Sequence, residues 1–268
     1  MTASVLPLVV TTSGKLGRRG DTADAEATAR RLGAPFVPYQ RNVPVRTLLD
    51  TARAVLELSG EGVTLVDREG ETTWSPGMAA LRARRLEDGV EQPDGILVAG
   101  EIREGDAVVD CTLGLAHDAW VLAQAVGPAG RVVGVEASLP LFALTSEGLR
   151  RAAPNPRACA IACHQAPALD FLRAQPSASV DVVYFDPMFS KHAKANPAFS
   201  ILRRHAERTP PTVELIEEAA RVCRRGVVVK AAPNSADFAA LGIDALPFKR
   251  TADLRFARVA AGWRRRAR

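Results

Sequence analysis

Short apolar runs alternate with longer amphipathic stretches from about residue 95 to the end of the chain. The apolar runs predict strands and the amphipathic stretches predict helices. The predicted strands span residues 106–111, 131–136, 158–163, 180–185 and 226–231, and the predicted helices span 118–126, 139–152, 165–174 and 212–223. Such alternation predicts an α/β fold with a doubly wound, mostly parallel sheet and right-handed crossovers.

The pattern changes after the fifth predicted strand. A short helix is expected at 235–240, followed by strands at 243–248 and 254–260 that a polar link joins into an antiparallel hairpin. A mostly parallel sheet closed by such a hairpin is the layout of the Rossmann-like class I S-adenosylmethionine-dependent methyltransferases, not of nicotinamide dehydrogenases.

The N-terminal region predicts a separate, small α/β unit. Strands are expected at 9–13 and 62–67, and helices at about 22–32, at 46–58 and in a basic segment ending near residue 86. Trp74 and Met78 are interpreted as core residues. We therefore predict an N-terminal unit at 1–92, a candidate for substrate recognition, and a methyltransferase domain at 93–268.

Composition adds a possible class of partner. The chain has 268 residues and a formal net charge of +5, with arginines in several clusters. An anionic polymer such as RNA is the partner that this charge favours, although a coding bias towards arginine on solvated helix faces gives the same composition. The chain has no apolar run of about 18 residues, no secretion signal and no Cys-x-x-Cys pair, so we expect a cytoplasmic protein without a membrane partner or a metal.

The fourth predicted strand of the domain ends on Asp186-Pro187-Met188-Phe189. The Asp186 carboxylate and the Pro187 carbonyl are suited to accept hydrogen bonds from an exocyclic amine, and Phe189 offers a face on which a nucleobase can stack. Asp-Pro after a strand is also an ordinary turn. These three residues are the predicted catalytic group.

Polar and small residues also follow the first three strands of the domain. Gly114 leaves room for a ligand after the first strand, but the loop has too few glycines to bind a pyrophosphate. Glu136 ends the second strand, where Rossmann-like folds place a carboxylate for ribose hydroxyls, and His164 with Gln165 would flank an adenine. A solvated acid and an ordinary helix start are the alternatives. Lys191, Lys194 and Lys230 are expected to contact substrate phosphates or, alternatively, to be solvated.

Several motifs carry a family resemblance over about residues 95–232. They are Asp110-x-Thr112-x-Gly114-Leu115-x-x-Asp118-Ala119, then Glu136, then Val183 to Phe189, and then Val227-Val228-Val229-Lys230. In these the chain resembles the RsmJ-type 16S rRNA guanine-N2 methyltransferases. The resemblance implies a cofactor site made of Asp110, Thr112, Gly114, His117, Asp118, Glu136, Ala137, His164, Gln165 and Asp186.

The predicted function is S-adenosylmethionine-dependent methylation of a nucleobase exocyclic amine. The resemblance implies guanine N2 in 16S rRNA or the small ribosomal subunit as the acceptor. One alternative is another acceptor, namely DNA adenine, a protein or a small molecule. A second is a catalytically silent RNA-binding or ribosome-assembly factor. A nicotinamide-dependent oxidoreductase is disfavoured because the chain lacks its glycine fingerprint.

Overall fold

The computed structural model of the 268-residue chain describes residues 5–13, 19–60, 62–89, 94–187, 200–207, 210–231, 236–247 and 254–265. In this part of the chain the strands are β1 (Val9–Thr12), β2 (Val55–Ser59), β3 (Gly62–Val66), β4 (Glu71–Thr73), β5 (Ala107–Asp110), β6 (Arg131–Glu136), β7 (Ile161–Gln165), β8 (Val180–Phe185), β9 (Cys223–Ala231) and β10 (Arg255–Ala260). The helices are α1 (Arg19–Leu32), α2 (Met78–Glu87), α3 (Gly95–Gly100), α4 (His117–Val126), α5 (Leu139–Arg151), α6 (Ala168–Arg173), α7 (Ser200–His205), α8 (Val213–Val222) and α9 (Asp237–Leu241), with a 3₁₀ helix at Val45–Asp50.

The chain divides into two compact units that are not contiguous in sequence. The first unit comprises Met1–Ser75, Ser138–Ala153 and Ala195–His205, and the second comprises Pro76–Ala137, Pro154–Lys194 and Ala206–Arg268. Helix α5 follows β6 in the chain but packs on β2 and β3, so it belongs to the first unit. The sequence predicts two domains, each a single continuous segment, that meet between residues 92 and 93. That division stays a prediction.

The second unit is built on a six-stranded sheet in the order β10-β9-β8-β5-β6-β7. Strands β5 to β9 run parallel, and β10 runs antiparallel to β9. The central strand β8 is a nearly continuous buried run, Val180 to Phe185, as expected for a parallel strand covered on both faces. The predicted mostly parallel, doubly wound sheet is confirmed.

Helices bury apolar stripes against this sheet. In α8 the buried residues are Ile216, Ala219, Ala220 and Val222. They join the sheet residues Val183 and Val227 in one hydrophobic core. The helix begins where the Thr212 hydroxyl accepts a hydrogen bond from the Leu215 amide, an N-cap that satisfies a donor of the first turn.

The first unit has its own sheet, ordered β1-β2-β3-β4, in which β1 and β2 are parallel and the later pairs antiparallel. Trp74 packs so closely on α5 that a Cβ at Gly148 would lie 2.2 Å from its ring. This contact explains why α5 has a glycine in its interior. Trp74 was predicted to be a core residue, and it packs against α5 but is half-buried.

Two sequence predictions about the N-terminal region are wrong. Residues 46–58 do not form one helix, because this segment contains most of the 3₁₀ helix and then most of β2, whose Val55, Leu56 and Leu58 are buried in the sheet. Burial in the sheet outweighs the weak helical pattern of this segment. Met78 is not a core residue, since it is 67% exposed at the start of α2.

The closing hairpin also differs from the prediction. β10 is present, but described residues of the predicted partner strand at 243–248 form an isolated bridge, Ala245 to Ala257. The third strand of the domain begins three residues later than predicted, at Ile161. The antiparallel closure of the sheet therefore comes from β10 pairing with β9.

Candidate functional site

The ends of β5 and β8 are joined by one hydroxyl. Thr112 Oγ1 donates to Asp110 Oδ1 at 3.2 Å and accepts the Asp186 amide at 2.7 Å. Because β5 and β8 are neighbouring parallel strands, their carboxyl ends lie side by side. Thr112 therefore fixes the backbone of the Asp186-Pro187 turn relative to Asp110.

Asp118, in the first turn of α4, is the centre of a buried charge network. Its Oδ2 accepts from the Tyr184 hydroxyl at 2.6 Å and from Lys230 Nζ at 2.8 Å, while Oδ1 accepts from Arg82 at 2.6 Å. Burial alone would raise the pKa of Asp118, but the charges of Lys230 and Arg82 hold it well below its ordinary value. Asp118 is thus a permanent anion.

Lys230, near the end of β9, bridges the two carboxylates of this network. Its Nζ lies 2.8 Å from Asp118 Oδ2 and 2.6 Å from Asp186 Oδ2. Despite burial, these two anions raise the pKa of Lys230 above its ordinary value. The sequence predicted a phosphate contact for Lys230; the structure places its ammonium against Asp118 and Asp186.

Asp186 differs from Asp118 in both exposure and charge balance. Its side chain is 39% exposed, compared with 10% for Asp118. The surrounding protein raises the pKa of Asp186, Lys230 lowers it, and the negative charge of Asp118 raises it further, so that the net shift is upward. Asp186 is therefore an accessible carboxylate that is more basic than an ordinary aspartate.

Asp110, the last residue of β5, is 1% exposed. Oδ1 accepts from the amide and the hydroxyl of Thr112, which provide hydrogen bonds but no positive charge. Burial raises the pKa of Asp110 to about 7, and the charges of Asp118 and Asp186 act in the same direction. Among the described residues, Asp110 therefore adds a third carboxylate to the two, Asp118 and Asp186, that lie beside the cations Arg82 and Lys230.

The loop between β5 and α4 is held against the end of β6. The Gly114 amide donates to Glu136 Oε2 at 3.0 Å, and a Cβ at Gly134 would lie 2.3 Å from Leu113 Cδ1. Gly114 and Ala116 both have positive φ, at 51° and 63°. This left-handed backbone is easy for glycine and costly for alanine, so the turn is tightly constrained before His117 begins α4.

The end of β7 lies beside the end of β6, as the sequence predicts for an adenine site. Glu136 and Gln165 are register partners, and Gln165 Nε2 donates to the Ala137 carbonyl at 2.9 Å. His164 is exposed, with its ring centroid 5.2 Å from that of Phe171. His164 and Gln165 therefore present polar and aromatic groups near Glu136.

The remaining predicted residues are placed less completely. Pro187 is described and half-buried, directly after Asp186. Phe189, Lys191 and Lys194 lie outside the described residues. His117 opens α4, and a Cβ at Gly77 would lie 3.4 Å from its ring Nε2.

Sequence reasoning missed two members of the network, Arg82 and Tyr184. Arg82 pairs bidentately with Asp94 at 2.7 and 3.0 Å in addition to Asp118, whereas the sequence analysis placed it only in a basic helical segment. Tyr184 was assigned to an apolar strand, but its hydroxyl needs a partner when it is buried. A polar group at an inward position of β8 is the signal that points to such a partner.

The described residues show no cluster of three or more acidic, histidine or cysteine side chains that could hold a metal ion. Nor does any helix in the described ranges have the length and hydropathy to cross a membrane.

Comparison with known proteins gives consistent matches. Residues 54–247 match the family described as "Putative SAM-dependent methyltransferase". The uncharacterized protein YpiP of Bacillus subtilis is 30% identical over 231 residues, which cover 84% of this chain and 89% of that protein. Ribosomal RNA small subunit methyltransferase J of Nitrosococcus oceani is 33% identical over 217 residues, 77% of this chain and 82% of the relative.

Coverage varies among the relatives. Three further proteins named ribosomal RNA small subunit methyltransferase J match over 44% to 54% of their own length. The crystal structure of a SAM-dependent methyltransferase from Neisseria gonorrhoeae superimposes with a TM-score of 0.62, at 22% identity, over 94% of this chain and 96% of that one. This likeness confirms the predicted Rossmann-like methyltransferase fold.

Proposed function

This chain belongs to the RsmJ-type family of class I S-adenosylmethionine-dependent methyltransferases, and we propose that it methylates the N2 amine of a guanine in small-subunit ribosomal RNA. Membership of the family makes S-adenosylmethionine the methyl donor. RNA as the acceptor is supported by the names of the relatives and by the net charge of +5. The observation that carries the proposal is the accessible Asp186-Pro187 turn, fixed by Thr112 and Lys230.

The charges at the edge of the sheet fit this methyl donor. Among the described residues, the carboxylates of Asp110, Asp118 and Asp186 lie beside two cations, Arg82 and Lys230, and Glu136 adds a further carboxylate at the end of β6. S-adenosylmethionine carries a sulfonium and an ammonium, so a site with excess negative charge favours it electrostatically. A nucleotide pyrophosphate would be repelled by the same charges.

The residues expected to hold the donor lie on three neighbouring strand ends. Glu136 is suited to accept the ribose hydroxyl hydrogens, while the small-residue turn at Gly114 leaves room for the amino-acid end. His164 and Gln165 are suited to flank the adenine. Asp110, Thr112, His117, Asp118 and Ala137 complete the proposed cofactor site.

When bound, S-adenosylmethionine supplies a methyl group that its sulfonium already activates. The protein must then orient the acceptor amine and exclude water. Lys230 bonds Asp186 Oδ2, which directs Oδ1 towards an incoming amine. Asp186 and the Pro187 carbonyl would accept the two amine hydrogens, so that the nitrogen lone pair points away from them and towards the methyl group.

Asp186 is also suited to receive a proton. Methylation leaves the nitrogen with an extra proton, and the raised pKa of Asp186 makes this carboxylate a better acceptor than an exposed aspartate. Phe189 would stack on the base, and Lys191 and Lys194 would contact phosphates. We further propose a cytoplasmic location, where ribosomal RNA is assembled.

The test is methyl transfer from labelled S-adenosylmethionine to small ribosomal subunits and to naked 16S rRNA that lack the modification. The RNA is then digested to nucleosides, and mass spectrometry identifies the product. We expect N2-methylguanosine with wild-type protein and none with Asp186→Ala. Label in another base, in DNA or in protein would replace the proposed acceptor. Tight binding of the donor without transfer to any acceptor would instead favour the silent RNA-binding factor.

A further inference from the structure

The first unit contains a cavity at the carboxyl ends of its parallel strands. Val10 bridges to Phe36 on one side, and β1 pairs with β2 on the other, with all three segments parallel. After β1 the chain passes through α1 to the segment that contains Phe36, on one side of β1. It later returns to form β2 on the other side of β1. In open α/β sheets, such a reversal of strand order opens a crevice in which ligands bind.

This crevice, which we call the N-terminal cavity, has a volume of about 670 Å³. That volume lies within the usual range for ligand sites, roughly 300 to 1,000 Å³. Its polar lining comes from β1, β2 and the loop after residue 37, and it includes Thr11, Thr12, Tyr39, Gln40, Asn42 and Glu57. Hydroxyl, amide and carboxylate groups therefore converge on one space.

Tyr39 gives the cavity an aromatic surface. The residue is 46% exposed and lines the cavity, so its side chain can be reached by a ligand there. Gln40 and Asn42 follow it in the same loop, and each amide provides both donors and an acceptor. A planar ring stacked on Tyr39 would meet these amides at its polar edge.

Glu57 lies on β2 directly opposite Thr11 in the strand register. Both residues line the cavity, and Thr11 is 3% exposed. A carboxylate in this position favours a ring that carries an amino group and disfavours one that presents only carbonyl oxygens. Adenine, cytosine and guanine have such an amino group, whereas the Watson–Crick edge of uracil has one ring N–H between two carbonyl oxygens.

We infer that the N-terminal cavity binds one unpaired, amino-bearing nucleotide of the RNA substrate, with its base stacked on Tyr39 and its edge at Glu57. This inference rests on the proposed function and deepens it, because it assigns RNA recognition to a site separate from the Asp186 turn. The exposed Arg41, between Gln40 and Asn42 in the sequence, provides a cation for the adjoining phosphate.

The test is equilibrium binding of a fluorescent ten-nucleotide RNA to the full-length protein at fixed salt concentration, without S-adenosylmethionine. Tyr39→Ala should weaken binding of an adenine-rich strand by roughly 5- to 150-fold, the effect of losing one base–aromatic stack. Tyr39→Phe keeps the ring and should stay within about twofold of wild type. Val5→Ala removes apolar surface from another exposed position of the same unit and serves as the matched control.

Base preference provides a second readout. Wild-type protein should bind the adenine-rich strand more tightly than an oligouridine of equal length. Glu57→Gln should reduce this preference, since an amide can also donate to uracil carbonyls. Equal binding of both strands by wild type would overturn the amino-bearing assignment.

The outcomes separate this inference from the proposed function. If Tyr39→Ala binds RNA as wild type does, the cavity is not an RNA site, even where wild type methylates guanine N2. If Tyr39→Ala loses affinity while wild type transfers no methyl group to RNA, the cavity assignment stands and the proposed activity is wrong. Unfolding midpoints of all variants, measured in parallel, would identify any loss that is due to misfolding.

Discussion

Asp67 in the first unit and Asp110 in the second are both nearly inaccessible, at 4% and 1% exposure, but their charges are balanced differently. Asp67 Oδ2 lies 2.6 Å from Arg204 Nε and 2.8 Å from His205 Nε2, and Oδ1 accepts the amides of Glu69 and Gly70. Within the described ranges, Asp110 forms no ion pair and accepts from Thr112.

The two environments shift the pKa in opposite directions. Burial would raise the pKa of Asp67, but its bonds to Arg204 and His205 bring it below the ordinary value, whereas burial raises that of Asp110 to about 7. The charge of Asp67, a structural residue of the first unit, is thus balanced by neighbouring side chains. At the carboxyl edge of the second sheet, Asp110 has no cation beside it among the described residues, which destabilises the fold but, under the proposed function, would attract a cationic methyl donor.

The largest effect is expected from Asp67→Asn, which removes the anion that faces Arg204. Breaking a buried ion pair by removing one partner costs about 3 to 5 kcal/mol, so the free energy of unfolding at pH 7 should fall by that amount. Urea unfolding measures it. In the exposed pair of Arg173 and Glu214, Glu214→Gln should cost at most about 1 kcal/mol.

The pH dependence of this loss has a definite sign. Because the folded pKa of Asp67 is lowered, its stabilising effect is present above the unfolded value near 3.8 and disappears as the pH falls through the folded value. The difference between wild type and Asp67→Asn should therefore shrink below about pH 4. A difference that grows towards acid pH would show that Asp67 is not the stabilising anion.

Asp186→Asn should affect chemistry more than stability. The amide keeps the shape and an acceptor for Lys230 but loses the charge that polarises the amine and receives its proton, so kcat should fall by roughly 100- to 1,000-fold. Single-turnover methyl transfer at saturating donor measures this. Donor affinity should fall only modestly, because one of the carboxylates near the proposed donor site loses its charge, and the unfolding midpoint should change little. Undiminished transfer would eliminate Asp186 as the amine-binding group.

Asp110→Asn should stabilise the protein at alkaline pH, opposite in sign to Asp67→Asn. The folded pKa of Asp110 is raised to about 7, so its protonated form stabilises the fold at low pH, and this stabilisation is lost as the pH rises from about 4 through 7. At pH 8 the variant should be more stable by about 2 to 4 kcal/mol. Urea unfolding at pH 5 and pH 8 checks the trend, and a variant less stable at both would contradict it.

The comparison also shows what the sequence can predict. The strand ends at Asp110, Glu136 and Asp186 were predictable because apolar runs of the right length stop there and the next residues are polar or small. The fold class follows from the same alternation. Both depend on patterns that are local in the sequence.

The charge network is not local in this sense. Arg82 meets Asp118 36 positions later in the sequence, and Lys230 meets it from 112 positions away. Periodicity places Arg82 on a basic helix face and Lys230 at a strand end, but it does not say which anion each one faces. The same limit affected Val55 and Leu56, whose burial in a sheet of distant partners outweighed a helical pattern.

The smallest expected effect is on donor affinity. Glu136→Ala removes the carboxylate proposed to bind the ribose and also the acceptor of the Gly114 amide, so binding of S-adenosylmethionine should weaken by about 1.5 to 3 kcal/mol. Glu136→Gln is the matched variant, because its amide oxygen can still accept from Gly114 while the charge is lost. Calorimetric titration with the donor and with S-adenosylhomocysteine measures both.

The two Glu136 variants separate the contribution of its charge to donor binding from the contribution of its hydrogen bonds. The ribose is the same in donor and product, but the product lacks the sulfonium charge. If excess negative charge at the sheet edge attracts the donor, Glu136→Gln should weaken S-adenosylmethionine more than S-adenosylhomocysteine. Equal losses for both ligands would mean that Glu136 acts through hydrogen bonds alone, and the electrostatic contrast with Asp67 would then rest on Asp110 and Asp186.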